Sequence, residues 1–171
     1  ALQSRVSDAH QILAGISQTL DEVSKFRKQE GTSMHSDLES WVDGIDEQLS
    51  NIEPYEDERI KRIKERIEKN LHEIATEESL DRNRLEQEMI FYIEKLDISE
   101  EKTRLSNHLN YFRETMQQLQ SSGKKLSFIS QEMGREINTL GSKANDSDIQ
   151  HLVIKMKDNL EKIKEQLANI L

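Results

Sequence analysis

"GKKLSFISQEMGREINTLGSKAND", residues 123–146, decides how the chain is read. At 100° per residue, Leu126, Ile129, Met133, Ile137 and Leu140 fall within one arc of about 80°, the apolar stripe of a helix packed on one side. The spacing predicts a helix from about 124 to 143, ended by "KANDSD". A second set of residues lies on one border of that stripe. Glu132, Glu136, Thr139 and Lys143 share an arc of about 60°, with Arg135 just beyond it and Gln131 and Asn138 further out. Such a border is neither core nor open surface, and partial burial there fixes side chains and perturbs carboxylates. Two readings of the border stay open. Two Glu at i, i+4 can offer oxygen ligands to one hard divalent cation, Mg²⁺ or Mn²⁺. Glu132, Arg135 and Glu136, with Lys143 nearby, can equally form a surface salt-bridge ladder.

The same periodicity extends through the chain in both directions. Leu2, Val6, Ala9, Leu13, Ile16, Leu20 and Val23 step by fours and threes, a heptad seam. It blurs at "KQEGTS" and resumes with Met34, Leu38, Val42, Ile45, Leu49 and Ile52. With no Pro or Asn-Gly there, one long helix through Gly31 is expected. Pro54 stops it and suits the start of the next helix, striped by Ile60, Ile63, Ile67, Leu71 and Ile74. A third helix, within 76–96, turns Leu85, Met89, Tyr92, Ile93 and Leu96 inward. A fourth opens at "DISEE", where Asp97 or Ser99 can cap it, and carries Leu105, Leu109, Phe112, Met116 and Leu119. "SSGKK" breaks it. The last begins at Asp146 or Ser147, with Gln150 completing a capping box, and carries Leu152, Ile154, Met156, Leu160, Ile163, Leu167 and Ile170. The expected fold is all-α. A long antiparallel, coiled-coil-like helical hairpin (residues 1–78, helices about 2–51 and 55–78) is followed by a compact bundle of shorter helices (79–171). Apolar residues run along both members of the hairpin, and adjacent Trp41 and Val42 cannot share one narrow seam. Self-association or an exposed apolar patch is therefore expected.

Composition agrees. Of 171 residues 33% are charged and 34% hydrophobic, with one Pro and no Cys, the balance of long helices. Thiolate metal sites and disulfides are excluded, and no apolar run approaches a membrane span. Ala1 stands inside a helical pattern, and the chain is expected to be part of a longer protein. The net charge of −9 opposes unspecific grip on nucleic acid. The excess is local, however: residues 1–58 hold 4 basic and 13 acidic side chains, 59–120 hold 12 and 13, and 121–171 hold 8 and 7. The later two thirds can meet an anion.

Border positions recur on other helices. Arg84 and Glu88 flank the third stripe; Arg104 and His108 flank the fourth. His108 can serve as acid, base or ligand, or sit salt-bridged at a helix interface. His10, His35, His72 and His151 have no such company. "RIKRIKERIEK" (59–69) packs six basic residues into eleven but reads best as the solvated face of a coiled coil. Lys124 and Lys125 stand at a helix start, where backbone amides also favour anions.

Together, "NRLEQE" (83–88), "RLSNHL" (104–109), residues 123–146 and "MKDNLEKIKEQLANI" (156–170) resemble the C-terminal half of the YicC/YloC family. "KQEGTSMHSDL" (28–38) resembles the family more loosely. Gly134 stands where Asn is more usual, and Ser127 where Asp is common. The resemblance implies a bacterial, cytoplasmic, stress-associated protein and a divalent-metal-dependent endoribonuclease acting on single-stranded or structured small RNA. It implies hexameric assembly in the full-length protein and an N-terminal β-containing domain that this chain lacks. Membrane association and DNA specificity are not expected. It makes His108, Glu132 and Glu136 candidate catalytic groups. Glu88, Glu132 and Glu136 become candidate metal ligands, and Arg84, Arg104, Lys124, Lys125, Arg135 and Lys143 candidate phosphate contacts. A non-catalytic RNA-binding or adaptor module and a structural oligomerisation module are the alternatives.

Overall fold

The computed structural model describes the backbone of residues 2–74, 82–118 and 123–169, and side chains of 11–70, 86–118 and 123–169. Six helices follow one another: α1 (Leu2–Ser50), α2 (Glu53–Ile74), α3 (Arg82–Leu96), α4 (Ser99–Met116), α5 (Gly123–Ala144) and α6 (Ser147–Ala168). There is no strand among the described residues, so the all-α class with a long helix and a bundle of shorter ones stands. Gly31 lies inside α1 without a break, and Pro54 is the second residue of α2, where its missing amide costs nothing. No described helix is long and apolar enough to cross a membrane.

The chain forms two compact units, residues 1–38 and 39–171. In the first, Ile12, Leu13, Ile16, Leu20, Val23 and Phe26 are all exposed, so the heptad seam read there is not buried within this unit. In the second, α5 packs against both α4 and α6. The core is Val42, Ile45 and Leu49 of α1, Leu105, Leu109 and Phe112 of α4, all five stripe residues of α5, and Val153, Met156, Leu160, Ile163 and Leu167 of α6. A Cβ at Gly141 would stand 3.0 Å from Val153 Cγ1, so α5 and α6 meet closely there. Trp41 is half-buried and Val42 fully buried.

Three stripe expectations are corrected. Tyr92 is exposed, as are its neighbours Ile90 and Phe91, because α3 has few packing partners. Ile154 is exposed and Val153 takes its place in the core, where it meets Gly141. Ile60 is exposed while Arg59, expected on a solvated face, is 3% exposed. The side chains of Leu2, Val6, Ala9, His10, Leu71, His72, Ile74, Leu85, Leu119 and Ile170, and the break at 121–122, lie outside the described residues.

Arg59 explains how the helix ends are tied. Its guanidinium donates to the Leu96 carbonyl at the end of α3 and to the Ala144 carbonyl at the end of α5, with Lys143 O at 3.4 Å. Both helices present their negative dipole end there. Burial pushes the Arg59 pKa down, opposed by Glu56, Asp146 and Asp97. Asn145 ends α5 at φ 47°, the left-handed position after a helix that Asn tolerates. Asp146 then caps α6, accepting from the amides of Asp148 and Ile149 at 3.0 and 3.1 Å, and binds Arg62 at 2.8 Å. Gln150 makes no capping box; its amide donates to Gly141 O. At α4, Asp97 accepts from the Ser99 hydroxyl at 2.7 Å and the Ser99 amide at 3.0 Å. Those bonds, the hydroxyl's first, hold its carboxyl below the usual range.

Candidate functional site

Helices α4 and α5 are joined by residues 117–122, and the Glu101 carboxylate near the start of α4 binds Lys143 Nζ near the end of α5 at 2.7 Å. The two helices are therefore antiparallel, and this ion pair sets their register. Seven residues forward on α4 lead to His108, and seven back on α5 lead to Glu136. Two helical turns are about 10.5 Å of rise, so His108 and Glu136 occupy equivalent stations on the seam, within about one turn. Glu101 and Glu136 are 4% and 5% exposed, and His108 and Lys143 are half-buried. The seam thus carries two stations, each with a buried carboxylate opposite a basic group.

The stations differ in how the carboxylate is satisfied. Glu101 has its cation, although its second oxygen is sealed from solvent without a hydrogen bond. Glu136 makes no hydrogen bond or ion pair among the described residues, and neither of its oxygens is sealed from solvent. A carboxylate whose apolar stem is buried while its oxygens still reach water is free to meet a ligand or a neighbouring side chain.

One flank of the seam faces the core; the other is open. With Glu101 and Lys143 set on the seam line, Arg104, His108 and Tyr111 of α4 fall about 20–80° to the side away from Leu105 and Leu109. On α5, Glu132, Phe128 and Arg135 fall about 20–80° to the same side. Exposure agrees: Arg104, Tyr111, Phe128 and Arg135 are exposed, Glu132 and Lys125 half-buried. Lys125 Nζ lies 4.6 Å from the Tyr111 ring centroid, and Lys124 is exposed beside it.

The expected site residues are therefore brought together in part. His108, Glu132, Glu136, Lys143, Arg104, Arg135 and Lys125 share the open flank or the seam itself. Arg135 pairs with Glu132 at 3.4 Å and Arg104 with Glu100, so half of the salt-bridge ladder exists, but Glu136 is not in it. Glu88 is exposed on α3, and the side chain of Arg84 lies outside the described residues. No three His, Cys, Asp or Glu side chains converge as a cation site among the described residues. The set Glu88, Glu132 and Glu136 does not fit a three-ligand metal centre.

Reasoning from the sequence missed Glu101 and Arg59. Glu101 looks like an ordinary first-turn acid, but it lies seven residues before His108 on one helical line, which is a readable signal. Arg59 is hidden in a basic run, and nothing local separates it from Lys61 or Arg62.

The sequence matches the family described as "Endoribonuclease YicC-like, C-terminal" over residues 52–171. It is 34% identical over 156 residues to "Probable endoribonuclease YicC" of Clostridioides difficile (strain 630), covering 91% of this chain and 53% of that protein. It is 27% identical over 159 residues to "Probable endoribonuclease YicC" of Haemophilus influenzae (strain ATCC 51907 / DSM 11121 / KW20 / Rd), covering 93% and 55%. The chain spans about half the length of these relatives. The match begins at Ile52, before α2, and takes in the whole α4–α5 seam: this chain belongs to the YicC-like endoribonuclease family and carries its C-terminal region.

Proposed function

We propose that this chain is the C-terminal helical part of an endoribonuclease acting on single-stranded or structured small RNA, with its chemistry on the open flank of the α4–α5 seam. The observation that supports this most is Glu136, a largely buried residue whose carboxylate has no partner among the described residues and reaches solvent at the station of a half-buried histidine. In this reading His108 takes the proton of a ribose 2′-hydroxyl as that oxygen attacks the adjacent phosphorus. The 5′-oxygen leaves and takes up a proton, so the products are a 2′,3′-cyclic phosphate and a 5′-hydroxyl. Glu136, at the same station of the seam, stabilises by its charge the imidazolium that forms. Arg104 and Arg135 supply charge-assisted contacts to the phosphates. Because the described carboxylates do not form a three-ligand cation site, no step is routed through Mg²⁺ or Mn²⁺. Metal dependence is instead one arm of the test.

The test uses the full-length protein and a small structured RNA, with and without chelator. Glu136→Gln keeps shape and removes charge. A fall in cleavage of about a hundredfold or more, with unchanged or raised thermal stability, is expected, and cyclic-phosphate ends identify the route. Unchanged cleavage in Glu136→Gln defeats the assignment. Chelator-sensitive cleavage with 3′-hydroxyl ends replaces the histidine route with a metal-dependent one.

A further inference from the structure

The open flank carries two features that the proton-transfer chemistry leaves unused. Phe128 on α5 is 63% exposed and Tyr111 on α4 is 43% exposed. A large aromatic ring in water forgoes its burial free energy, and here two such rings stand on the same flank of one seam. They also stand at one end of it. Lys125, one turn before Phe128, reaches within 4.6 Å of the Tyr111 ring, so its side chain links the Phe128 turn of α5 to Tyr111. Tyr111 is one turn from His108 along α4, about 4.5 Å of rise, and Phe128 two turns from Glu136 along α5, about 12 Å. The two rings do not stack on each other, since the one ring pair among the described residues is Phe91 with Tyr92.

The charge around the rings identifies the occupant. Lys125 reaches the Tyr111 ring and Lys124 is its exposed neighbour, while Arg104 and Arg135 stand two turns along the same flank from Tyr111 and Phe128. Arg104 and Arg135 are each paired with one carboxylate, whereas Lys124 and Lys125 make no ion pair among the described residues. A basic rim with exposed rings between its members suits a strand with regularly spaced phosphates and flat, unpaired bases. A protein partner of acidic character would match the lysines but gives no reason for two separated rings. Paired RNA would match the cations but hides its bases from stacking.

We propose that Tyr111 and Phe128 are a stacking platform for unpaired bases of an RNA strand lying along the α4–α5 seam, with Lys124 and Lys125 holding its phosphates. This rests on the RNA reading and deepens it: the platform selects single-stranded segments next to the site of cleavage. Tyr111 has one ring face engaged by the Lys125 ammonium, so Phe128 is the more available surface.

The experiment compares the full-length parent protein with Phe128→Ala and Phe128→Trp on a single-stranded RNA carrying 2-aminopurine, and on the same RNA made abasic at that nucleotide. Phe128 is too exposed for its truncation to threaten the fold. Phe128→Ala is expected to weaken binding about five- to a hundredfold, the range for losing one stacked base, with the loss in KM rather than kcat. Phe128→Trp is expected to restore binding and the quenching of 2-aminopurine fluorescence. The abasic RNA is expected to bind the parent more weakly while no longer distinguishing parent from Phe128→Ala. Equal affinity of parent and Phe128→Ala for the unmodified RNA overturns the platform. So does a change of oligomeric state in Phe128→Ala, which makes this face a protein interface. If Glu136→Gln abolishes cleavage while Phe128→Ala binds normally, the platform falls and the catalytic reading survives. If Phe128→Ala weakens binding but Glu136→Gln cleaves normally, the platform stands and the catalytic reading falls.

Discussion

Arg59 offers the sharpest test of how this fold is held. Replacement by Met keeps most of the aliphatic stem and removes the guanidinium. Two carbonyls, Leu96 O and Ala144 O, then lose a charged donor, and the longer contact to Lys143 O at 3.4 Å goes with them. Hydrogen bonds from a charged group are worth about 1.5–3 kcal/mol each, so two give about 3–6 kcal/mol. Against this, the variant no longer has to desolvate a buried cation, a cost already visible in the lowered pKa of Arg59. The net expectation is about 3 kcal/mol of destabilisation, and a fall in Tm of about 6–12 °C for a domain of this size. Trp41, the single tryptophan, lies in the unit 39–171, so its fluorescence reports unfolding of that unit in urea. Arg62→Met is the internal control. Arg62 is 48% exposed and pairs only with Asp146, whose carboxylate keeps its two amide donors, so its loss costs no more than about 1 kcal/mol. Arg59→Lys should fall between, because one ammonium cannot span two diverging carbonyls as a planar fork does. If Arg59→Met lies within about 1 kcal/mol of the parent, or Arg62→Met costs as much, the guanidinium does not tie these helix ends together.

Two other expectations follow from the geometry. Asp97 has a carboxyl pKa lowered first by the Ser99 hydroxyl and then by the Ser99 amide; a folded value below the unfolded one, near 4, stabilises above that pH and is lost as pH falls through the folded value. The urea midpoint should therefore drop on acidification below about pH 4, and Asp97→Asn should flatten that part of the profile. Gly141→Leu should destabilise by about 2–3 kcal/mol, since even a Cβ there meets Val153 Cγ1 at 3.0 Å; a urea midpoint equal to the parent's would show that α5 and α6 can separate at no cost.

Periodicity carried the fold because the core is built from single helical faces. All five stripe residues of α5 are buried, as are Leu105, Leu109 and Phe112, and each was legible from spacing alone. Periodicity failed where a helix has too few partners for its stripe: Tyr92 on α3 and Leu13 to Val23 on α1 have the spacing of core residues and lie exposed. It also failed where one residue among similar neighbours is singled out by a distant element. Arg59 differs from Arg62 only in what α3 and α5 bring to it, and no local pattern encodes the position of those carbonyls. The site was legible to the same extent. The border rule found Glu136, Lys143 and His108, because a residue at the margin of a core stripe must lie at a helix seam. It could not say which helix meets which border, so it joined Glu88 to a set that it does not enter and left out Glu101.

The two seam stations differ in what their carboxylates hold. Glu101 and Glu136 are about equally buried, four and five per cent exposed, on helices that pack the same way. If the seam served stability only, both carboxylates would be expected to hold an internal cation, as Glu101 holds Lys143, or to be replaced by an apolar side chain of similar size, which is often neutral or stabilising at buried ion-pair positions. Glu136 does neither. Its half-buried counterpart is the imidazole of His108. A carboxylate with no partner among the described residues, at the station of an imidazole, is what the proposed chemistry asks for. The point is measurable: Glu136→Gln should leave the fold about as stable as the parent, because no ion pair or hydrogen bond among the described residues is lost with the charge. A marked loss of stability in Glu136→Gln would mean that the carboxylate is satisfied by the fold after all, and its claim to a role in chemistry would go with it.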